Sequence, residues 1–147
     1  MDRPSHLGRR SALKTLAAAF LAACDATIMR MRGFKVAPIA TLDQVPPGGA
    51  YRTKFRDEPI ILVNDAGDVR AFLAVCTHEG CPLGWNPNQH LIRCPCHGSA
   101  FNTMGIPVNG PATKGLAGFE TIVRGNQVSL VYHPNDQTTV ELKAVKR

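Results

Sequence analysis

Two short segments, each with a cysteine and a histidine close together, constrain this chain more than any other feature of its sequence. The first reads CTHEGCP over residues 76–82, and the second reads CPCHGS over residues 94–99. A Cys-x-His pair and a Cys-x-x-His pair together supply the four side chains of one metal site. Two further cysteines, Cys81 and Cys96, lie inside the same segments. The two segments are therefore expected to meet around one centre.

Three kinds of centre fit these residues. Two disulfides would use all four cysteines in an exported protein, but they leave both histidines without a role. A structural zinc site with two cysteines and two histidines leaves Cys81 and Cys96 unexplained. A [2Fe–2S] cluster can take two thiolates on one iron and two imidazoles on the other, which gives each histidine a role.

The two segments resemble the two sequence boxes of the Rieske [2Fe–2S] family, in its high-potential, disulfide-containing type. The separation of the boxes resembles that of the iron–sulfur subunits of cytochrome bc-type complexes, and the likeness is strongest over residues 76–112. The resemblance implies one [2Fe–2S] cluster. It implies thiolate ligands from Cys76 and Cys94 and imidazole ligands from His78 and His97.

The resemblance also implies roles for residues around the cluster. In the family a disulfide links the two cluster loops, and Cys81 and Cys96 match its cysteines. Ser99 matches a serine whose hydroxyl bonds a cluster sulfide. The residues that start the loop covering the cluster are matched here by Gly110, Pro111 and Ala112, and Leu116 would continue that cover.

One position departs from the family pattern. A tyrosine two positions after the serine bonds a ligand thiolate in the family, whereas Phe101 stands here and has no hydroxyl. Hydrogen bonds to the sulfurs stabilise the reduced, more negative state. We therefore expect a reduction potential below that of tyrosine-bearing relatives, although plain core packing also accounts for a phenylalanine.

The first 25 residues resemble an export signal, with a basic start followed by an apolar stretch over 11–24. Arg9-Arg10 resembles a twin-arginine signal, and the residues ending at Cys24 resemble a lipobox in which that cysteine is acylated. Ordinary cleavage and an uncleaved anchor remain alternatives. We expect an export signal over 1–25, a linker over 26–33 and the Rieske domain over 34–147. We also expect a bacterial protein in the periplasm or on the outer face of the cytoplasmic membrane.

The rest of the chain predicts an all-β domain. The 13 glycines and 11 prolines argue against a helical bundle. Turn residues at 65–68 and at 124–127 predict two hairpins. The resemblance implies stacked antiparallel sheets and a cluster-binding subdomain made of two loops, which we place in the segment 76–112. The predicted strands are Phe34–Ala40, Tyr51–Phe55, Ile60–Asn64, Val69–Val75, Phe119–Val123 and Val128–Tyr132.

Several side chains around the boxes are expected to have no chemical role. Leu83 and Trp85 should pack beside the first box, and Glu79 should face solvent. The remaining histidines should be solvated rather than ligands; they are His6, His90 and His133. Residues 1–23 carry half of the net charge of +6, and the rest of the chain has no basic stripe or aromatic platform for nucleic acid.

The function that the resemblance implies is one-electron transfer, with no catalysis by this chain alone. We expect the iron–sulfur subunit of a quinol–cytochrome c reductase-like membrane complex, with His78 and His97 as contacts to quinol. Its partners would be cytochrome b- and c-type subunits, and its N-terminus would associate with the membrane. The alternative is a small electron-transfer subunit of an exported oxidase, similar to arsenite oxidase, or a free-standing periplasmic carrier. A ferredoxin or oxygenase component is disfavoured because cytosolic thiols stay reduced.

Overall fold

The computed structural model describes residues 33–134. The predicted export signal, Cys24 and nearly all of the linker lie outside the described residues, as does the tail after residue 134. By its internal contacts the chain divides into Met1–Lys35 and Val36–Arg147, and almost everything described lies in the second unit. Among the described residues, no helix is long and apolar enough to cross a membrane.

Residues 33–134 form short strands and one 3-10 turn at Leu42–Gln44, which agrees with the all-β prediction. Many turns, rather than long regular elements, connect these strands. The strands are β1 (Lys35–Thr41), β2 (Ala50–Phe55), β3 (Glu58–Asp65), β4 (Asp68–Leu73), β5 (Gly84–Asn86), β6 (Leu91–Arg93), β7 (Ala100–Phe101), β8 (Pro107–Asn109), β9 (Gly118–Phe119), β10 (Thr121–Arg124) and β11 (Gln127–Tyr132).

The strands form three sheets with the orders β1-β11-β10, β2-β3-β4-β9 and β5-β6-β7-β8. The second sheet is covered on both faces. Along β3, Ile61 and Val63 face one core, whereas Ile60 and Leu62 face another, and all four side chains are fully buried. Because successive side chains of a strand point to opposite faces, a strand buried on both sides needs a continuous apolar run.

The two cores attach the outer sheets to the central one. The loop-side core joins the central sheet to β5-β6-β7-β8, and the rear core joins it to the sheet of β1, β10 and β11. The loop-side core consists of Ile61, Val63, Phe72, Ala74, Cys76, Leu83, Ile92, Cys94, Phe101 and Ala112. The rear core consists of Ala40, Val45, Ile60, Leu62, Val69, Ala71, Val128 and Leu130.

Both predicted hairpins are present. Asp65 pairs with Asp68 across a two-residue turn, and Arg124 pairs with Gln127 across another. At the first turn Ala66 and Gly67 both have positive φ, 52° and 103°. Positive φ at both central residues matches the right-handed twist of the strands and fixes their register.

The predicted strand Phe119–Val123 is wrong in one respect, because it is two strands. Phe119 ends β9, which pairs with β4 in the central sheet, whereas Thr121 begins β10, which pairs with β11. The chain changes sheets at Glu120, whose carbonyl accepts a hydrogen bond from Val131 N–H at 2.9 Å. A β-rich sequence of this length carries no signal for such a change of partner.

The segment 76–112 contains more regular structure than the two loops predicted from the sequence. It holds the four-stranded antiparallel sheet β5-β6-β7-β8. These strands have only two or three residues each, too short for an alternating pattern to be recognised. The sheet places the two Cys/His segments at one of its ends, where β6 leads into the second segment and β7 leaves it.

Candidate metal centre

The first Cys/His segment forms a tight loop after β4. Its ends are joined by a bridge between Val75 and Pro82. Within it, Cys76 N–H donates to the Cys81 carbonyl at 2.8 Å, and Gly80 N–H donates to the Cys76 carbonyl at 2.9 Å. Gly80 has φ +75°, a conformation that glycine adopts without strain. The loop is thereby held closed by its own backbone.

The second segment is built in the same way between β6 and β7. Cys94 N–H donates to the Ser99 carbonyl at 2.8 Å, just as Cys76 N–H donates to Cys81. Gly98 has φ +77° near the end of this loop, as Gly80 does in the first. The cysteine that begins each loop, Cys76 or Cys94, is buried.

A disulfide joins the two loops. Cys81 and Cys96 are bonded with an S–S distance of 2.06 Å and a Cα–Cα distance of 6.5 Å. The pairing implied by the family resemblance is therefore confirmed. Cys76 and Cys94 are free thiols and each is 2% exposed. This excludes the alternative in which all four cysteines form disulfides and leaves two thiols available to a metal.

The environment of the Cys76 thiol favours its neutral form while no metal is bound. Burial raises its pKa, because an apolar surrounding disfavours the thiolate. The neighbouring Cys94 thiol also raises this pKa, whereas hydrogen bonds from the His78 backbone and from Ser99 lower it. A metal that binds here has to displace a proton, and the two hydrogen-bonding groups then face a charged sulfur.

The two loop histidines lie against each other. The rings of His78 and His97 are 5.1 Å apart and nearly perpendicular, at 87°. The His78 Nδ1 atom is buried and has no hydrogen-bond partner among the described residues, whereas the His97 side chain is 48% exposed. A buried nitrogen without a partner costs free energy unless something else binds it. A metal ligated by this nitrogen would remove that cost.

Glu79 adds a carboxylate to the histidine pair. Its Oε2 lies 3.6 Å from His97 Nδ1, and ligand atoms of His78, Glu79 and His97 lie within 4.8 Å of one another. The Glu79 side chain is 61% exposed, as expected from the sequence, but its contact with His97 was not predicted. The contact joins residues of the two loops, and no local sequence pattern indicates it.

The predicted covering segment lies over both loops. Ala112 N–H donates to the Ser99 hydroxyl at 3.0 Å, and Asn109 Nδ2 donates to the Gly98 carbonyl at 3.0 Å. From the other side, Thr77 Oγ1 donates to the Lys114 carbonyl at 2.7 Å. Gly110 and Pro111 lie exposed between these contacts, whereas Ala112 is 5% exposed. The segment thus bridges the first and the second loop.

Behind the loops Leu83 and Trp85 pack as predicted. Phe101 and Leu83 are fully buried in the loop-side core, and Trp85 and Leu116 pack against it. His90 lies exposed in the turn between β5 and β6, with its ring centroid 6.1 Å from that of Trp85. The core therefore supports the two loops from below.

The donor set fits the predicted cofactor. Two buried thiols and two imidazoles lie in two loops that a disulfide holds together. A structural zinc site would need the same four side chains but gives no role to the disulfide. A [2Fe–2S] cluster with mixed thiolate and imidazole ligation uses the four side chains, and the disulfide fixes the loops that carry them.

Comparison with known proteins agrees with this description. The family model described as "Rieske [2Fe-2S] domain" matches residues 35–120. A cytochrome b6-f complex iron-sulfur subunit of Chlorobaculum tepidum is 30% identical over 90 residues, which are 61% of this chain and 50% of that protein. The same subunit of Synechococcus sp. (strain JA-3-3Ab) is 39% identical over 75 residues, or 50% of this chain and 44% of the relative. The chain spans about half the length of these curated relatives.

A solved structure shares the fold. The cyanobacterial plasma membrane Rieske protein PetC3 from Synechocystis PCC 6803 superposes with a TM-score of 0.58 at 28% identity. The match covers 64% of this chain and 97% of that one. The fold of this chain is therefore shared with a solved Rieske protein.

Proposed function

The chain belongs to the Rieske [2Fe–2S] domain family, and from that premise we propose that it carries single electrons from a quinol to a c-type cytochrome, as the iron–sulfur subunit of a membrane complex. It is an electron-transfer protein with a [2Fe–2S] cofactor, related to the iron–sulfur subunits of cytochrome b6-f complexes. That relationship supports a quinol as electron donor. The matches cover only about half of each relative, so membership of a membrane complex is part of the proposal.

The proposal assigns four ligands. Cys76 and Cys94 hold one iron through their thiolates, and His78 and His97 hold the other through their imidazoles. The bound cluster supplies one-electron chemistry at a raised potential, because neutral imidazoles replace two anionic thiolates. The orphaned His78 Nδ1 and the two buried free thiols support this assignment.

The exposure of His97 is the observation that best supports a quinol as the electron donor. Its side chain is half exposed, next to His78, while the two free thiols beneath are buried. An imidazole at the surface can accept a hydrogen bond from a quinol hydroxyl and can hold the proton that leaves with the electron. Ala112 is buried in the same core as the two thiols, and its N–H is hydrogen-bonded to Ser99 of the second loop.

Export is also part of the proposal. The disulfide between Cys81 and Cys96 is the kind of bond that forms and persists in an oxidising compartment. Arg9-Arg10 and the apolar stretch over 11–24 support a twin-arginine leader, and Cys24 is the proposed acylation site. These features together support a protein on the outer side of the cytoplasmic membrane.

The cofactor assignment is tested by the EPR spectrum of the dithionite-reduced full chain, with iron and labile sulfide counted. We expect an anisotropic signal of the Rieske type with two iron and two sulfide atoms per chain. The Cys94→Ser variant should lose both signal and iron, whereas Cys24→Ser should keep them. Bound zinc with a silent spectrum in freshly purified protein would contradict the assignment.

The proposed complex is tested by purification of the tagged full chain from bacterial membranes in mild detergent. We expect b-type and c-type haem absorbance to accompany the protein in a fixed ratio. A molybdenum-containing large subunit without cytochrome b would instead support the exported-oxidase alternative. Recovery of the loaded protein alone, after chemical crosslinking, would favour a free-standing carrier.

A further inference from the structure

A cleft with a volume of about 610 Å³ lies beside the second loop. Three parts of the domain contribute to it: β2 of the central sheet, the edge strand β5, and the end of β6 with the loop that follows. Its lining includes Arg52, Trp85, Asn86, Arg93, Cys94 and Gly98. Cys94, which is 2% exposed and carries one of the two free thiols, is among the lining residues.

The charge of the cleft is positive and uncompensated. The side chains of Arg52 and Arg93 make no hydrogen bond or ion pair with any residue in 33–134, and no acidic side chain lines the cleft. Two other arginines of the domain do have partners, whereas the Arg124 side chain in the β10–β11 hairpin has none among the described residues but lies outside the cleft lining. Arg70 pairs with Asp65 and Asp68, and Arg56 lies over aromatic rings. Two unpaired guanidiniums in one concave site are thus a local feature of this cleft.

Two further polar side chains among the lining residues, Trp85 and Asn86, differ in their hydrogen bonding. The Trp85 Nε1 atom is buried and, within the described residues, has no hydrogen-bond partner. Asn86 is already engaged, since its Oδ1 accepts from the Asn88 and Gln89 backbones and its Nδ2 donates to Gln89. Guanidinium and indole groups can only donate hydrogen bonds. A molecule that pairs with the two guanidiniums therefore has to bring acceptors and negative charge.

We propose that this cleft binds a small oxyanion of the carboxylate or phosphate class through Arg52 and Arg93. The planar fork of a guanidinium matches the two oxygens of a carboxylate or phosphate, and such charge-assisted bonds are stronger than neutral ones. The cleft is larger than inorganic phosphate needs, so a di- or tricarboxylate fits as well. The two arginines come from different sheets, so the ligand would bridge β2 and β6.

The position of the site links it to the redox centre, and this consequence rests on the proposed function. Cys94 lines the cleft and is one of the proposed thiolate ligands. A negative charge held beside it disfavours the addition of an electron to the centre. By reciprocity of linked equilibria, the oxidised protein binds the anion more tightly than the reduced protein. The anion would thereby lower the reduction potential.

Calorimetry on the cluster-loaded full chain tests the site, with citrate and inorganic phosphate as probes and chloride holding the ionic strength constant. We expect saturable binding of one anion per chain. Arg52→Gln and Arg93→Gln should each weaken it about tenfold or more, as the loss of a charge-assisted hydrogen bond implies. Lys54→Gln is the matched control, because it removes the same charge from β2 at an exposed residue outside the cleft lining.

The outcomes separate the site from its consequence. Equal affinity in wild type and in the Arg52→Gln/Arg93→Gln double variant, or an equal loss in Lys54→Gln, would overturn the site. So would the absence of binding by both probes. The melting temperature of each variant without anion shows whether it is folded. If the anion binds but the reduction potential does not change, the proposed site stands and its link to Cys94 is refuted. If the purified protein contains zinc and still binds the anion, only the proposed function is contradicted.

Discussion

The Ala112 backbone N–H donates to the Ser99 hydroxyl at 3.0 Å, and this bond fastens the covering segment to the second loop. Ser99 is fully buried, and its hydroxyl also lies beside the Cys76 thiol, whose pKa it lowers. A hydroxyl has one proton to donate. Because the backbone N–H occupies an acceptor position, that proton remains available for a sulfur.

We predict two effects of Ser99→Ala. The variant leaves the buried Ala112 N–H without an acceptor, which costs about 1–3 kcal/mol of unfolding free energy. It also removes a hydrogen bond to sulfur, so the reduction potential falls. Denaturant unfolding and redox titration of the loaded full chain measure the two effects. Ser129→Ala, a buried position on β11, is the control and should leave the potential unchanged; a normal potential in Ser99→Ala would contradict the assigned role.

The disulfide between Cys81 and Cys96 should contribute substantially to stability. It closes a sequence separation of 15 residues. A loop of that size corresponds to about 3 kcal/mol from the restricted unfolded chain. We predict that the Cys81→Ala/Cys96→Ala double variant loses about this much in denaturant unfolding. Wild-type protein reduced with dithiothreitol should unfold at the same midpoint, and a difference between the two would point to new contacts in the variant.

The raised pKa of the Cys76 thiol predicts how the metal-free protein responds to alkaline pH. Burial is the main cause of the shift, so folding favours the neutral thiol over the thiolate. The stabilisation is present in full below the ordinary thiol pKa of 9.0 and is lost as the pH rises through the higher pKa of the folded protein. We expect the unfolding midpoint of the metal-free full chain to fall above pH 9.0.

Cys76→Ala provides the control for this pH dependence. Alanine cannot ionise, so the variant should lose part of the alkaline destabilisation while remaining less stable at neutral pH because of the cavity. Unfolding curves at closely spaced pH values measure both proteins. Identical alkaline profiles for the wild type and the variant would show that another group causes the loss.

Phe101→Tyr tests the departure from the family pattern. Phe101 is fully buried in the loop-side core, together with Cys76 and Cys94. By family resemblance, a hydroxyl at this position bonds a ligand thiolate, so we predict a higher reduction potential. If the hydroxyl finds no partner, its burial costs about 1–3 kcal/mol instead. Phe72→Tyr, in the same core but on the central sheet, is the control and should leave the potential unaltered. An unchanged potential in Phe101→Tyr would contradict the prediction.

Local patterns in the sequence predicted much of the fold. The hairpin turns at Ala66-Gly67 and Gly125-Asn126 were found because turn residues determine backbone conformation within a few positions. The buried run of β3 was found because continuous apolar sequence indicates a strand. The strands β5 to β8 were missed, because two or three residues are too few to show an alternating hydrophobic pattern.

The sequence by itself determined the chemistry of the centre. Two cysteines and two histidines at short spacing indicate which atoms are available to a metal. A second cysteine pair matches the disulfide that the structure contains. Chemical identity and spacing along the chain are local properties, so no knowledge of distant residues is needed to read them.

Only the tertiary structure decided which groups surround that centre. The Ser99–Ala112 bond, the contact of Glu79 with His97, and the cleft shared by Arg52 and Arg93 all join residues through chain reversals or between sheets. Such contacts depend on how the three sheets stack and where the chain turns. Packing across two cores fixes that arrangement, and no short stretch of sequence contains it.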